Sequence, residues 1–132
     1  MTTEKERSTQ HVARGCVAQL MSVDPAVCST AADRLVALGP PVVRFIVDDL
    51  RRDHEGLRET AAVPSLLAHF ADASPAIRKT AAMVLGEIGD ASAISPLLLL
   101  AFADEDVAVR QAGAEALEAC LQAWSAYLWY TY

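Results

Sequence analysis

The segment Pro64 to Asp72, with the run Ile77 to Ala82 behind it, recurs 32 residues later as Pro96 to Asp104 and Val109 to Ala114. Phe70 maps to Phe102, Asp72 to Asp104, Arg78 to Arg110, Ala82 to Ala114 and Leu85 to Leu117. Matches of type at so many fixed positions define a repeated supersecondary unit. Such units stack because none buries its apolar face alone, and stacks of this kind bind other molecules more often than they catalyse.

Each full unit reads as two helices. Ser74 stands at an N-cap with Pro75 at the first helical position, and Ile77, Ala81, Val84, Leu85 and Ile88 form an apolar stripe ended by Gly89. Asp90 or Ser92 then caps a second helix whose Leu97 to Phe102 are apolar all round, which predicts burial on most sides. A degenerate copy precedes it: Pro25 to Gly39 overlays Pro75 to Gly89 at an offset of 50, with Asp24 as cap. Pro40 and Pro41 start its partner helix, with Val42, Val43, Phe45, Ile46, Val47 and Leu50 as core candidates. Between these, Leu57 to Ala62 opens like a first helix but runs directly into Val63 and Pro64, the start of a second. Against the 32-residue period this unit lacks 12 residues, the equivalent of Met83 to Ile94. Either the unit is a natural stub or a segment of the native chain is absent from this sequence.

An amphipathic helix from Ser8 to Met21 (Val12, Cys16, Val17, Leu20, Met21) suits an N-terminal cap. At the other end Asp106 caps a long helix with the stripe Val109, Leu117, Leu121, Trp124 and Leu128. The expected organisation is a loosely held or disordered 1–7 and a single repeat domain over 8–128. That domain divides into a cap helix 8–21 and units at about 24–52, 53–72, 74–104 and 106–128, with an aromatic tail at 129–132.

The motif Asp72-x5-Arg78-x2-Ala81-Ala82-x2-Leu85-Gly86-x-Ile88-Gly89-Asp90, followed by Ala93-Ile94-x-Pro96-x-Leu98, resembles HEAT repeats, specifically the short bacterial PBS-lyase HEAT-like kind. The second copy is Asp104-x5-Arg110-x3-Ala114-x2-Leu117. The resemblance implies an all-α, short right-handed α-solenoid of antiparallel helix pairs with helical caps at both ends. It also implies that Asp72, Arg78, Asp104 and Arg110 form a structural ladder of hydrogen bonds along the stack. Cys28 stands where the first unit would carry its arginine, and Asp53 and Arg58 are one residue short of the ladder spacing.

The family's side branches handle bilins, hydroxylate a protein with iron, or excise bases from DNA. An iron site needs several His and carboxylate ligands converging, and this chain carries a single His-Glu dyad, His54-Glu55. Nucleic-acid binding calls for a basic surface, whereas the net charge is −6 and the Lys and Arg residues are scattered. No nucleic-acid partner, no metal and no cofactor are expected. His69, beside Leu66 and Leu67, reads as a core or groove histidine. Cys16, Cys28 and Cys120 lack ligand spacing and fall on apolar helix faces, as buried reduced thiols do.

The N-terminus shows no apolar signal region, and the apolar run Ile94 to Ala103 is about half a bilayer span. Direct membrane insertion is not expected, and a cytoplasmic location is. Five of the eight aromatic residues lie in the last nine positions: Trp124, Tyr127, Trp129, Tyr130 and Tyr132. Aromatics with polar tips at a terminus serve as interface anchors. The sequence therefore predicts a non-catalytic interaction scaffold or accessory subunit of a larger bacterial protein assembly. It would bind another protein through a helical groove and these aromatics, and it is compatible with self-association. A bilin lyase-like or chromophore-chaperone role is the alternative that the resemblance implies.

Overall fold

The computed structural model describes the backbone of residues 3–131 and the side chains of residues 3–126. Among the described residues there are eight α-helices and no strand. They are α1 (Glu4–Leu20), α2 (Pro25–Ala37), α3 (Val43–Arg52), α4 (His54–Glu59), α5 (Ala62–Ala68), α6 (Pro75–Ile88), α7 (Ile94–Ala103) and α8 (Val107–Thr131). Short 3₁₀ turns at Pro40–Val42, His69–Ala71 and Ala91–Ala93 lead into α3, close α5 and lead into α7.

The punctuation of the chain follows local chemistry. Asp24 caps α2 through the Ala26 N–H at 2.9 Å, with Pro25 in the first turn, and Asp106 caps α8 through Val109 N–H at 3.1 Å. Gly89 ends α6 at φ 71°, a left-handed conformation that costs glycine nothing. Ser74 occupies the N-cap of α6, but its hydroxyl makes no capping bond. Its N–H instead donates to Asp72 Oδ1 at 2.8 Å, so the aspartate turns the chain. The first helix also begins earlier than the apolar stripe suggested. Thr3 Oγ1 accepts the Glu6 N–H at 3.1 Å, and α1 is helical from Glu4 rather than from residue 8.

Packing regroups the units expected from sequence. The helices α1, α3, α6 and α8 lie side by side in one row, while α2 packs on α1 and α5, and α7 packs on α8. Thus α3, expected as the second helix paired with α2, takes the place beside α6 where the first helix of the short unit would stand. The stub α4 follows it, held by the buried Leu57 and by Arg58, whose Nε donates to the Ile88 carbonyl at 3.1 Å. The core that results is continuous, from Val17, Leu20 and Leu35 through Ile46, Leu50, Leu57 and Leu66 to Leu85, Ile88 and Leu97.

Polar links tie the row together. Asp49 of α3, only 6% exposed, receives Arg14 Nε of α1 at 2.9 Å and Arg52 Nη2 at 3.0 Å. Burial works against the Asp49 carboxylate, yet the two arginines hold its pKa below the ordinary carboxylate value. His69 Nε2 lies 2.8 Å from Asp33 Oδ1, linking the end of α5 to α2. Close helix contact is set by glycine: a Cβ on Gly86 would lie 2.9 Å from the Cα and Cβ of Ala116, so α6 and α8 meet backbone to backbone.

Candidate protein-interaction surfaces

Asp72, Arg78, Asp104 and Arg110 are brought together in two equivalent turns. Arg78 Nη1 donates to the Asp72 carbonyl at 2.7 Å, and Arg110 Nη1 donates to the Asp104 carbonyl at 2.7 Å. Ser74 N–H and Asp106 N–H donate to the two aspartate carboxylates at 2.8 and 2.9 Å. Between the units, Arg78 grips Asp104 with both arms of its fork, Nε to Oδ2 at 2.8 Å and Nη2 to Oδ1 at 3.1 Å. The six-residue spacing therefore serves an arginine-to-carbonyl bond within a turn, and the carboxylate pairing crosses to the next one. Arg78 and Asp104 side chains are each 7% exposed. Burial opposes the Asp104 carboxylate, but the fork and the Asp106 N–H bring its pKa below the ordinary value. These four residues are occupied with one another.

The cysteines are likewise internal. All three are buried, Cys28 Sγ lies against the Leu20 and Ser22 carbonyls, and burial pushes the Cys120 thiol up to about 11. Among the described residues no group of His, Cys, Asp and Glu is arranged to hold a metal ion. His54 of the dyad donates its Nδ1–H to the Arg51 carbonyl at 2.6 Å.

One open surface is a groove of about 660 Å³ over the C-terminal half of α6. Arg51, His54, Glu55 and Arg58 form one wall, Ala119, Gln122, Ala123 and Ala126 the other, and Gly86 to Gly89 the floor. Arg51 crosses it to Glu87 at 2.8 Å, an exposed pair that fixes little.

The other surface is apolar. Leu98, Leu99 and Phe102 of α7 are 44%, 67% and 80% exposed, with Val107 beyond them at 67%. The burial expected for Leu97 to Phe102 holds only for Leu97 and Leu100. Their counterparts one repeat earlier behave oppositely: Leu66 is fully buried, and Leu67 and Phe70 pack against the core, because α5 lies between α2 and α6. The difference is written in the sequence. Where α5 has Ser65 and Ala68, α7 has Leu97 and Leu100, and this second apolar face is the one that α7 turns to α8. A helix with two apolar faces gives no periodicity from which to tell which face is buried.

A similar shift affects α8. Its buried set is Val109, Ala112, Ala116 and Cys120, while Leu121 and Trp124 are 47% and 44% exposed and Leu117 is only partly buried. Close approach to α6 demands small residues, so alanines take the inner face and the large residues stand at its edge. The side chains of Tyr127, Leu128, Trp129, Tyr130 and Tyr132 lie outside the described residues. The backbone stays helical through Thr131, so the aromatic segment expected as a tail from residue 129 continues α8.

Residues 63–120 match the family model for HEAT repeats. The match spans α5 to α8, the part in which the Asp-Arg turns are found. No curated protein and no solved structure matches the chain. HEAT repeats commonly mediate protein–protein interaction, and the family is typically non-catalytic. No described helix is long and apolar enough to cross a membrane.

Proposed function

We propose that this chain is a non-catalytic interaction module, a small accessory subunit that binds another protein through the outer face of α7, with Trp124, Tyr127, Trp129, Tyr130 and Tyr132 as further anchors. The observation that carries this reading is the exposure of Leu98, Leu99 and Phe102 at positions that the preceding repeat keeps covered. An uncharged helix face of this kind is costly to leave in water, and contiguous exposed apolar patches mark interaction sites. The partner is another protein rather than nucleic acid, because the face carries no cation and the chain has a net charge of −6.

The groove over α6 is a secondary contact surface in this reading. A tetrapyrrole role gains no support from it: among the described residues that line it, Ile88 is the one large aliphatic side chain and none is Phe, Tyr or Trp. Visible absorption by the purified native protein would count against that.

The test is site-specific photo-crosslinking. A benzophenone side chain at position 99 or 102 is expected to give a discrete adduct in the native extract, and one at Glu118, on an exposed part of α8, is not. Leu99→Asp is expected to weaken capture of the same partner at least tenfold with an unchanged melting temperature. Equal adducts at all three positions, or none at 99 and 102, would count against the reading.

A further inference from the structure

We propose that the outer face of α7 is the contact by which two copies of this chain pair, α7 antiparallel to α7 about a two-fold axis between Leu98 and Leu99; this deepens the interaction-module reading and rests on it. The face Leu98-Leu99-Phe102 repeats Leu66-Leu67-Phe70, and that earlier set is already an interface, covered by apolar helices of this same chain. A second copy supplies the same kind of surface.

The register is what singles out self-pairing. In an antiparallel pair centred between positions 98 and 99, Phe102 of one copy stands opposite Ser95 of the other. Ser95 is the one departure of this face from its internal counterpart, where Val63 is buried; it is small and exposed, and it leaves room for the facing Phe ring. The ten residues of α7 carry no charge, so the helix-on-helix part of the seam brings no like charges together.

The pairing is isologous, and each element of it occurs twice. Leu98, Leu99, Phe102 and Val107 together expose roughly 500 Å² per copy. That places the contact at the small end of specific interfaces, where association is weak and reversible. A weak, reversible dimer is expected, rather than an obligate one.

Sedimentation equilibrium from about 10 to about 500 μM brackets that affinity. The wild-type chain is expected to move from monomer to dimer across this range. Leu99→Asp with Phe102→Asp is expected to stay monomeric, at least 100-fold weaker. Ser95→Trp fills the space left for Phe102 and is also expected to weaken pairing at least tenfold; both variants lie on exposed positions and should melt with the wild type. Binding of the dye anilinonaphthalene sulfonate, compared between wild type and the double-Asp variant at about 1 μM, reads the open face independently of pairing. A wild-type chain monomeric at 500 μM, with dye binding that the double variant abolishes, overturns self-pairing and leaves the face available to a different protein. A monomer with no such difference in dye binding overturns both readings. A dimer that persists in both variants overturns the assignment of the pairing to α7.

Discussion

Asp104 receives the Arg78 fork and the Asp106 N–H on its carboxylate and Arg110 on its carbonyl, so one residue joins two repeat turns. Its pKa is depressed in the fold: burial raises it, and the arginine and backbone donors lower it further than burial lifts it. A depressed carboxylate adds stability above the unfolded value near 4 and loses it as the pH falls below that value. Asp104→Asn is therefore expected to lower stability at pH 7, by about 3 kcal/mol if the Arg78 charge is left uncompensated, and to flatten part of the loss between pH 4 and pH 2. Urea denaturation across that pH range reads both. Gly86→Ala would help an isolated helix by about 1 kcal/mol, yet here its methyl meets the Ala116 backbone, and a net destabilisation of about 1–2 kcal/mol is expected in the same assay. At this scale most of the fold was legible: Asp24, Asp90, Asp106, Gly89 and the Asp-Arg spacing each announce a local geometry. The spacing by itself pairs each aspartate with the arginine of its own turn; the crossing of Arg78 to Asp104 was implied only by the family's ladder along the stack.

Among the elements, α4 depends most on tertiary support. Six residues are far too few to hold a helix alone, and its anchors are the buried Leu57 and the Arg58 bond to Ile88. Leu57→Ala should cost about 2–4 kcal/mol in chemical denaturation, the price of a core cavity rather than of a surface change. The 12-residue shortfall is legible as an interruption of the period. Its structural consequence is not: α3 stands beside α6, an arrangement set by which surfaces fit rather than by any motif. For α7 and α8 the sequence told helix from loop correctly and misjudged the faces. Four consecutive leucines give α7 no preferred side, and close packing at Gly86 selects alanines over leucines on α8. Removal of residues 129–132 is expected to shift the melting temperature by less than about 2 °C, as for a change outside the packed core, while weakening partner capture; an equal loss of both would make the aromatic segment structural.

As a whole molecule, the chain is a stack of helices, similar to HEAT repeats over residues 63–120, in which the earlier helices cover one another and α7 is covered on one side only. On its uncovered side α7 turns out leucines and a phenylalanine. The central claim is that the apolar face covered in α5 is open in α7, and thiol reactivity at one position on each face tests it directly. The three native cysteines are buried, so a cysteine introduced at Leu66 or Leu99 is read against a silent background. With folded protein at about 1 μM, below the concentration at which so small an interface associates, Leu99→Cys should react with a disulfide reagent within about tenfold of the rate of a free peptide thiol. Leu66→Cys should react at least 100-fold more slowly. Comparable protection at both positions, or a faster reaction at 66, would contradict the account.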